Sequence, residues 1–222
     1  PVKEPGGRAA EIELAPAVKQ LLAFESGTPR FGKPTDAIAL HSLVPDPAFY
    51  PVDAFRRTLN RVLSAGGPEL FLYGGPQGHP GLRDVVAQRL RDIGVMGGRD
   101  QIVLTHGASQ GISLAVRLLA SPGEAVAVEV PTYQNVLAAL AALGVEAVPV
   151  AMGTDGADLE SLERVVSRAE VKAFYTIPTF HNPLGTTTPV AHRRSVLEIA
   201  RRAGIAIIED ASEMDLRYMG RA

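Results

Sequence analysis

Ala125-Val126-Ala127-Val128-Glu129-Val130-Pro131-Thr132-Tyr133 is an apolar run closed by turn chemistry. The run is short enough for a buried strand, and a helical stretch from Tyr133 to Leu143 follows it. The same alternation recurs on either side. Candidate strands are Ile102 to Thr105, Ala125 to Val130, Val145 to Val150, Ala173 to Ile177 and Ile205 to Glu209. Helical stretches lie near Ser109 to Ala120, Tyr133 to Leu143, Leu159 to Arg168 and Val190 to Ala203. Strand and helix in turn at this spacing predict an α/β fold, a mostly parallel sheet with helices on both faces. A ligand of such a sheet sits at the carboxyl ends of its strands, so the residues just after each strand carry the chemistry.

Upstream the grammar is looser. Residues 1–44 read as an N-terminal arm, rich in Gly, Pro and charge, with one short helical stretch from Pro16 to Phe24 on the spacing of Val18, Leu21 and Leu22. Residues 45–222 read as the domain itself. It opens with the loop Pro45-Asp46-Pro47 and two amphipathic helices, whose faces are Phe55, Leu59, Val62 and Leu63, then Leu82, Val85, Val86, Leu90 and Ile93. No internal repeat interrupts it.

Composition removes several function classes. The chain has 222 residues, 46% hydrophobic and 21% charged, so it buries a sizeable core rather than staying a solvated tail. Its 22 basic residues lie among 24 acidic ones, an unsuitable balance for gripping nucleic-acid phosphates. With no cysteine there is neither a disulfide scaffold nor a thiolate nucleophile or metal ligand. No apolar run reaches the roughly 18 residues of a membrane span, so a cytoplasmic protein is expected.

Four strand ends carry candidate chemistry. Thr105-His106-Gly107-Ala108-Ser109-Gln110-Gly111 is a small-residue turn opening into a helix, where free backbone amides and the helix dipole suit a phosphate; an ordinary helix cap uses the same residues. Tyr133 places an aromatic ring at the mouth of the sheet, for stacking on a flat heterocycle or for core packing. Within Pro178-Thr179-Phe180-His181-Asn182-Pro183-Leu184-Gly185, Asn182 can aim its amide at a ligand oxygen, although Asn-Pro is also a common turn. Glu209 and Asp210 close the last strand. Glu209 is expected to face solvent, whereas a carboxylate buried at Asp210 needs a cationic partner, such as a protonated ring nitrogen.

In this order, Gly107-Ala108-Ser109-Gln110, Pro131-Thr132-Tyr133, His181-Asn182-Pro183-Leu184-Gly185 and Glu209-Asp210 resemble the large domain of fold-type I pyridoxal 5'-phosphate enzymes, the class I/II aminotransferases above all. Leu43 to Pro51, Phe55 and Tyr73-Gly74-Gly75-Pro76-Gln77-Gly78-His79-Pro80-Gly81-Leu82-Arg83 are similar to the 2-aminoadipate and kynurenine aminotransferase branch, and to the effector domains of GntR-type regulators. The resemblance implies that amides of Gly107, Ala108 and Ser109 hold the cofactor phosphate. It implies that Tyr133 stacks on the pyridine ring, Asn182 bonds the phenolic oxygen and Asp210 pairs with the ring nitrogen. Tyr73 matches a tyrosine that reaches the neighbouring subunit's phosphate, implying a homodimer. Lys19, Ser42 and Asn182 fall at substrate-reading positions. The implied activity is amino-group transfer between an amino acid and a 2-oxo acid. Another pyridoxal-phosphate reaction on an amino acid, a regulator's effector domain and an inactive partner of an active paralogue are the alternatives.

The sequence departs from the family pattern in three places. Ser212 and Glu213 stand where a tyrosine commonly follows the aspartate, and Ser42-Leu43, preceded by His41, replaces a pair of glycines. His41 is a candidate acid or base, or simply a loop histidine. The Schiff-base lysine of the family is matched by none of Lys3, Lys19, Lys33 and Lys172, the last expected at the wrong end of the sheet. The chain is therefore expected to be the N-terminal part of a longer enzyme, its large domain incomplete at the C-terminus and the small domain outside it.

Overall fold

The computed structural model describes residues 13–16, 18, 19, 22, 45–168 and 170–217. They divide into two units, Pro1–Pro29 with His106–Ala222, and Arg30–Thr105. The expected arm boundary at residue 44 lies outside the described residues, as does most of the helical stretch from Pro16 to Phe24, of which Pro16, Val18, Lys19 and Leu22 are helical.

The unit Arg30–Thr105 contains the two amphipathic helices, α1 (Val52–Gly66) and α2 (Pro80–Asp92). His79 starts α2 with its ring Nδ1, which accepts from Leu82 N at 3.3 Å, and Pro80 holds the first turn without needing an amide partner. Arg83, mostly buried, donates from Nη1 to Gln77 Oε1 and to Arg99 O, both at 3.0 Å, and so pins the Tyr73–Gly78 turn to the chain after α2. Ile102–Thr105 is not a strand. Its backbone bonds run from Ile102 N to Arg99 O at 3.1 Å and from Leu104 N to Gln77 O at 2.9 Å in that turn; an apolar run becomes a strand only beside a partner strand, and it pairs with none among the described residues.

The other unit is the sheet. Its strands are β1 (Ala125–Val130), β2 (Glu146–Gly153), β3 (Gly156–Ala157), β4 (Val171–Thr176) and β5 (Ala206–Glu209), in the order β3-β2-β1-β4-β5. All neighbours run parallel except β3, which folds back antiparallel on the end of β2. The helices are α3 (Ala108–Leu119), α4 (Gln134–Leu143), α5 (Leu159–Val166) and α6 (Val190–Ala203). Side-chain alternation divides them between the two faces. Val126 and Val128 of β1 pack with Ile112, Val116, Val136 and Leu140 of α3 and α4. Ala125 and Ala127 pack with Leu162, Val166, Val196 and Ile199 of α5 and α6. This is the predicted α/β architecture with helices on both faces. Leu140, fully enclosed, is worth about 1.5–3 kcal/mol by burial alone.

Local chemistry sets the element ends. Asp158 caps α5, its Oδ1 accepting from Ser161 N at 2.7 Å. Gly144 ends α4 in the left-handed conformation at φ 66°, where a side chain would be strained. Each βα crossover thereby returns the chain to the same edge of the sheet, and the carboxyl ends of β1, β4 and β5 come together.

Candidate functional site

Helix α3 begins at the carboxyl edge of the sheet with Gly107 at φ 90°, ψ 167°, a region open essentially to glycine alone. A Cβ there would meet nothing within 4 Å, so the glycine serves the backbone's direction and leaves space in front of it. The first amides of any helix have no acceptor within it, and in α3 these belong to Ala108, Ser109 and Gln110. The Gln110 side chain folds back, its Oε1 accepting from His106 N at 2.6 Å.

Tyr133 is half-buried at the start of α4. Its hydroxyl accepts from Asn135 Nδ2 at 2.6 Å, and the same amide reaches Ser109 Oγ at 3.4 Å. Asn135 therefore ties the tyrosine to the first turn of α3. Beside Tyr133, the Oγ1 of Thr132 is buried without a hydrogen-bond partner, which leaves it able to bond a ligand or a water.

Asp210 follows β5 directly and continues its ladder, donating its amide to Thr176 O at 3.0 Å. Its Oδ2 accepts from Tyr175 Oη at 2.7 Å and its Oδ1 from Ser212 N at 3.2 Å. Neutral donors hold this carboxylate, in place of the cationic protein partner that burial alone calls for. Tyr175 is fully enclosed in β4, and burial, seconded by the Asp210 carboxylate, pushes its phenol well above the ordinary tyrosine range. Glu209 is exposed, as expected.

A cleft of about 370 Å³ joins the two halves of this arrangement, with Ala108, Gly111 and Ile112 on one side and Tyr175, Asp210 and Ser212 on the other. Asn182 stands in the loop after β4, half-buried. That loop is closed by its own bonds, from His181 N to Thr186 O at 2.8 Å and from Thr188 N to Pro178 O at 2.9 Å. Arg193 of α6 locks it further, donating to Thr188 O at 2.7 Å, Pro178 O at 2.8 Å and Thr179 Oγ1 at 3.0 Å.

Tyr73 is fully exposed and belongs to the other unit. Lys19 pairs with Glu13 at 2.7 Å on exposed surface. Ser42 and His41 lie outside the described residues. Lys172 is in β4 itself, at its amino end, where it pairs with Glu124 at 3.3 Å, opposite the strand ends that carry the site. The Ser121 amide, then Lys172, lowers the Glu124 carboxyl below its usual range. Sequence reading missed Tyr175, Asn135 and the Thr132 hydroxyl; the one available signal was a tyrosine inside an otherwise apolar strand.

A family model described as aminotransferase class I and II matches residues 44–212. The chain belongs to the class I and II aminotransferases. Relatives within and around that family include the 2-aminoadipate transaminase of Thermus thermophilus, 30% identical over 81% of this chain and 44% of its own length. The aromatic-amino-acid aminotransferase 1 of Thermococcus litoralis is 32% identical over 84% of this chain and 46% of its own. An uncharacterized HTH-type transcriptional regulator of Bacillus subtilis is 30% identical over 95% of this chain and 48% of its own. Among solved structures, an archaeal alanine:glyoxylate aminotransferase superposes with a TM-score of 0.76 at 29% identity, over 95% of this chain and 52% of that one. The α-aminoadipate aminotransferase of Thermus thermophilus, complexed with N-(5'-phosphopyridoxyl)-L-leucine, superposes with a TM-score of 0.68 at 29% identity, over 76% and 42%. The chain thus spans about half the length of the class I and II aminotransferases it matches.

Proposed function

We propose that the whole protein is a pyridoxal-phosphate-dependent aminotransferase, moving an amino group between an amino acid and a 2-oxo acid, and that it works as a cytoplasmic homodimer. The observation that carries this reading is the cleft that brings the first turn of α3 and the Asp210 carboxylate to one carboxyl edge of the sheet. The donor set suits the cofactor. Helix amides that have no acceptor within the helix match a phosphate, Asp210 matches a ring cation, and the unpartnered Thr132 Oγ1 is a buried polar atom beside Tyr133. In this reading residues 1–44 form the arm and residues 45–222 the cofactor-binding domain.

When bound, pyridoxal phosphate acts as an electron sink for charge developing on the amino acid. This chain's part is to hold and orient it. Gly107, Ala108 and Ser109 would cradle the phosphate, Tyr133 would cover the ring, and Asn182 would donate to its phenolic oxygen. Asp210, kept in place by Tyr175 and the Ser212 amide, would hold the ring nitrogen's proton. Tyr73 is assigned to a neighbouring subunit's phosphate, and Lys19 and Ser42, with Asn182, to the substrate. The amine that binds the aldehyde matches no lysine of this chain in the family pattern, so the activity is proposed for the whole protein.

The test is the absorbance of the full-length protein with pyridoxal phosphate, followed by borohydride reduction, intact mass and an amino-acid and 2-oxo-acid turnover assay. A trapped cofactor with turnover supports the proposal. A protein that neither binds nor traps it overturns it. A second reading is an effector domain that binds the same cofactor without turnover, favoured by the 95% coverage of this chain in the match to the HTH-type regulator; trapping without turnover on any amino acid selects it.

A further inference from the structure

Glu129 and His181 are 1% and 3% exposed, and neither has a part in the site as described. Glu129 closes the buried portion of β1. Its Oε1 accepts from Thr176 Oγ1 at 2.6 Å and its Oε2 from Ile177 N at 2.9 Å. His181 Nε2 lies 3.2 Å from the same Oε2. On the other side of the ring, Nδ1 accepts from Leu184 N at 3.4 Å, which assigns the ring proton to Nε2, facing the carboxylate. The approach is close, and Nε2 is buried with no hydrogen bond made to any other group. Burial decides in favour of the contact, because an enclosed N–H beside a carboxylate loses far more by remaining unpaired than the ring loses by a small rotation.

A buried carboxylate is an expensive way to fill space; an apolar side chain packs as well at lower cost. What Glu129 adds is connection. Its own strand leads into Thr132 and Tyr133, its hydroxyl and amide donors end β4, and its imidazole partner immediately precedes Asn182. One carboxylate thus joins the ends of two strands to the turn that presents Asn182. We propose that Glu129 and His181 are a positioning pair that fixes the aim of Asn182 at the cofactor's phenolic oxygen. The inference rests on the role given to Asn182 above.

The probe is the pair pyridoxal phosphate and 3-deoxypyridoxal phosphate, which lacks the oxygen that Asn182 would meet. Dissociation constants of both are measured by fluorescence titration of the full-length protein. The wild type should prefer pyridoxal phosphate by about five- to tenfold, the value of one hydrogen bond. His181→Gln carries an N–H to the position of Nε2 and should keep that preference. His181→Asn reaches only as far as Nδ1 and should bind the two compounds about equally, with affinity for the 3-deoxy compound unchanged. Should His181→Asn fail to fold, Thr176→Val, which frees Glu129 Oε1 at almost constant shape, should reduce the preference in the same direction. Preference retained in both variants overturns the positioning role. A wild type without preference overturns the Asn182 contact beneath it, and a wild type that binds neither compound overturns the functional reading itself.

Discussion

Asp210 and Tyr175 form the contact on which the candidate chemistry turns. Asp210→Ala in the full-length protein should lower kcat by at least about 10²–10³, the size of effect seen when one preorganised hydrogen-bonding group is removed from an active site. It should also leave the enclosed Tyr175 hydroxyl unpaired, at about 1–3 kcal/mol. Turnover assays beside a denaturant titration separate the two effects, and near-normal activity would sink the assignment. Tyr175 makes a distinct prediction for pH. Its phenol holds its proton more tightly in the folded chain than in the unfolded one. Its contribution is therefore intact below the ordinary tyrosine value of about 10 and declines as the pH rises beyond it. Unfolding free energy measured from pH 9 upward should fall less steeply in Tyr175→Phe than in the wild type; parallel curves would contradict this. Asp210 was legible in the sequence because a carboxylate ends an apolar strand. Tyr175 as its partner was not, since a pairing across adjacent strands leaves no local trace in the chain.

At the scale of elements, Gly107 is where sequence and site meet most tightly. Gly107→Ala should cost about 1–3 kcal/mol through backbone strain, as no neighbour crowds the added methyl. A thermal melt gives that cost, and weaker pyridoxal-phosphate binding in the same variant would show that the α3 amides have been re-aimed; an unchanged melt would remove the strain argument. The buried strands and their helices were readable because apolar runs of the right length sit between proline and glycine turns. The β1 assignment held at both ends, as did that of α6. Ile102–Thr105 has the same composition as a strand yet lacks a ladder, because strand formation depends on a neighbour that local sequence does not encode. β3 escaped for the opposite reason: Gly156–Ala157 has no apolar run and pairs only because β2 runs on to Gly153.

For the molecule as a whole, burial is unevenly shared. Every buried apolar residue among those described lies in the sheet unit except Ala87 of α2. Native-state hydrogen exchange should therefore find the amides of β1 and β4 the slowest and those of α1 among the fastest. Uniform protection across both units would contradict this distribution. The Arg193 grip on the loop after β4 bears on how this site could be redesigned or could diversify. Three bonds from a single guanidinium, added to those that the loop makes with itself, turn residues 178–188 into a template of fixed length. Insertions there would cut several bonds at once, so a new specificity grafted onto this scaffold would have to be written elsewhere, leaving the loop that bears Asn182 as inherited hardware.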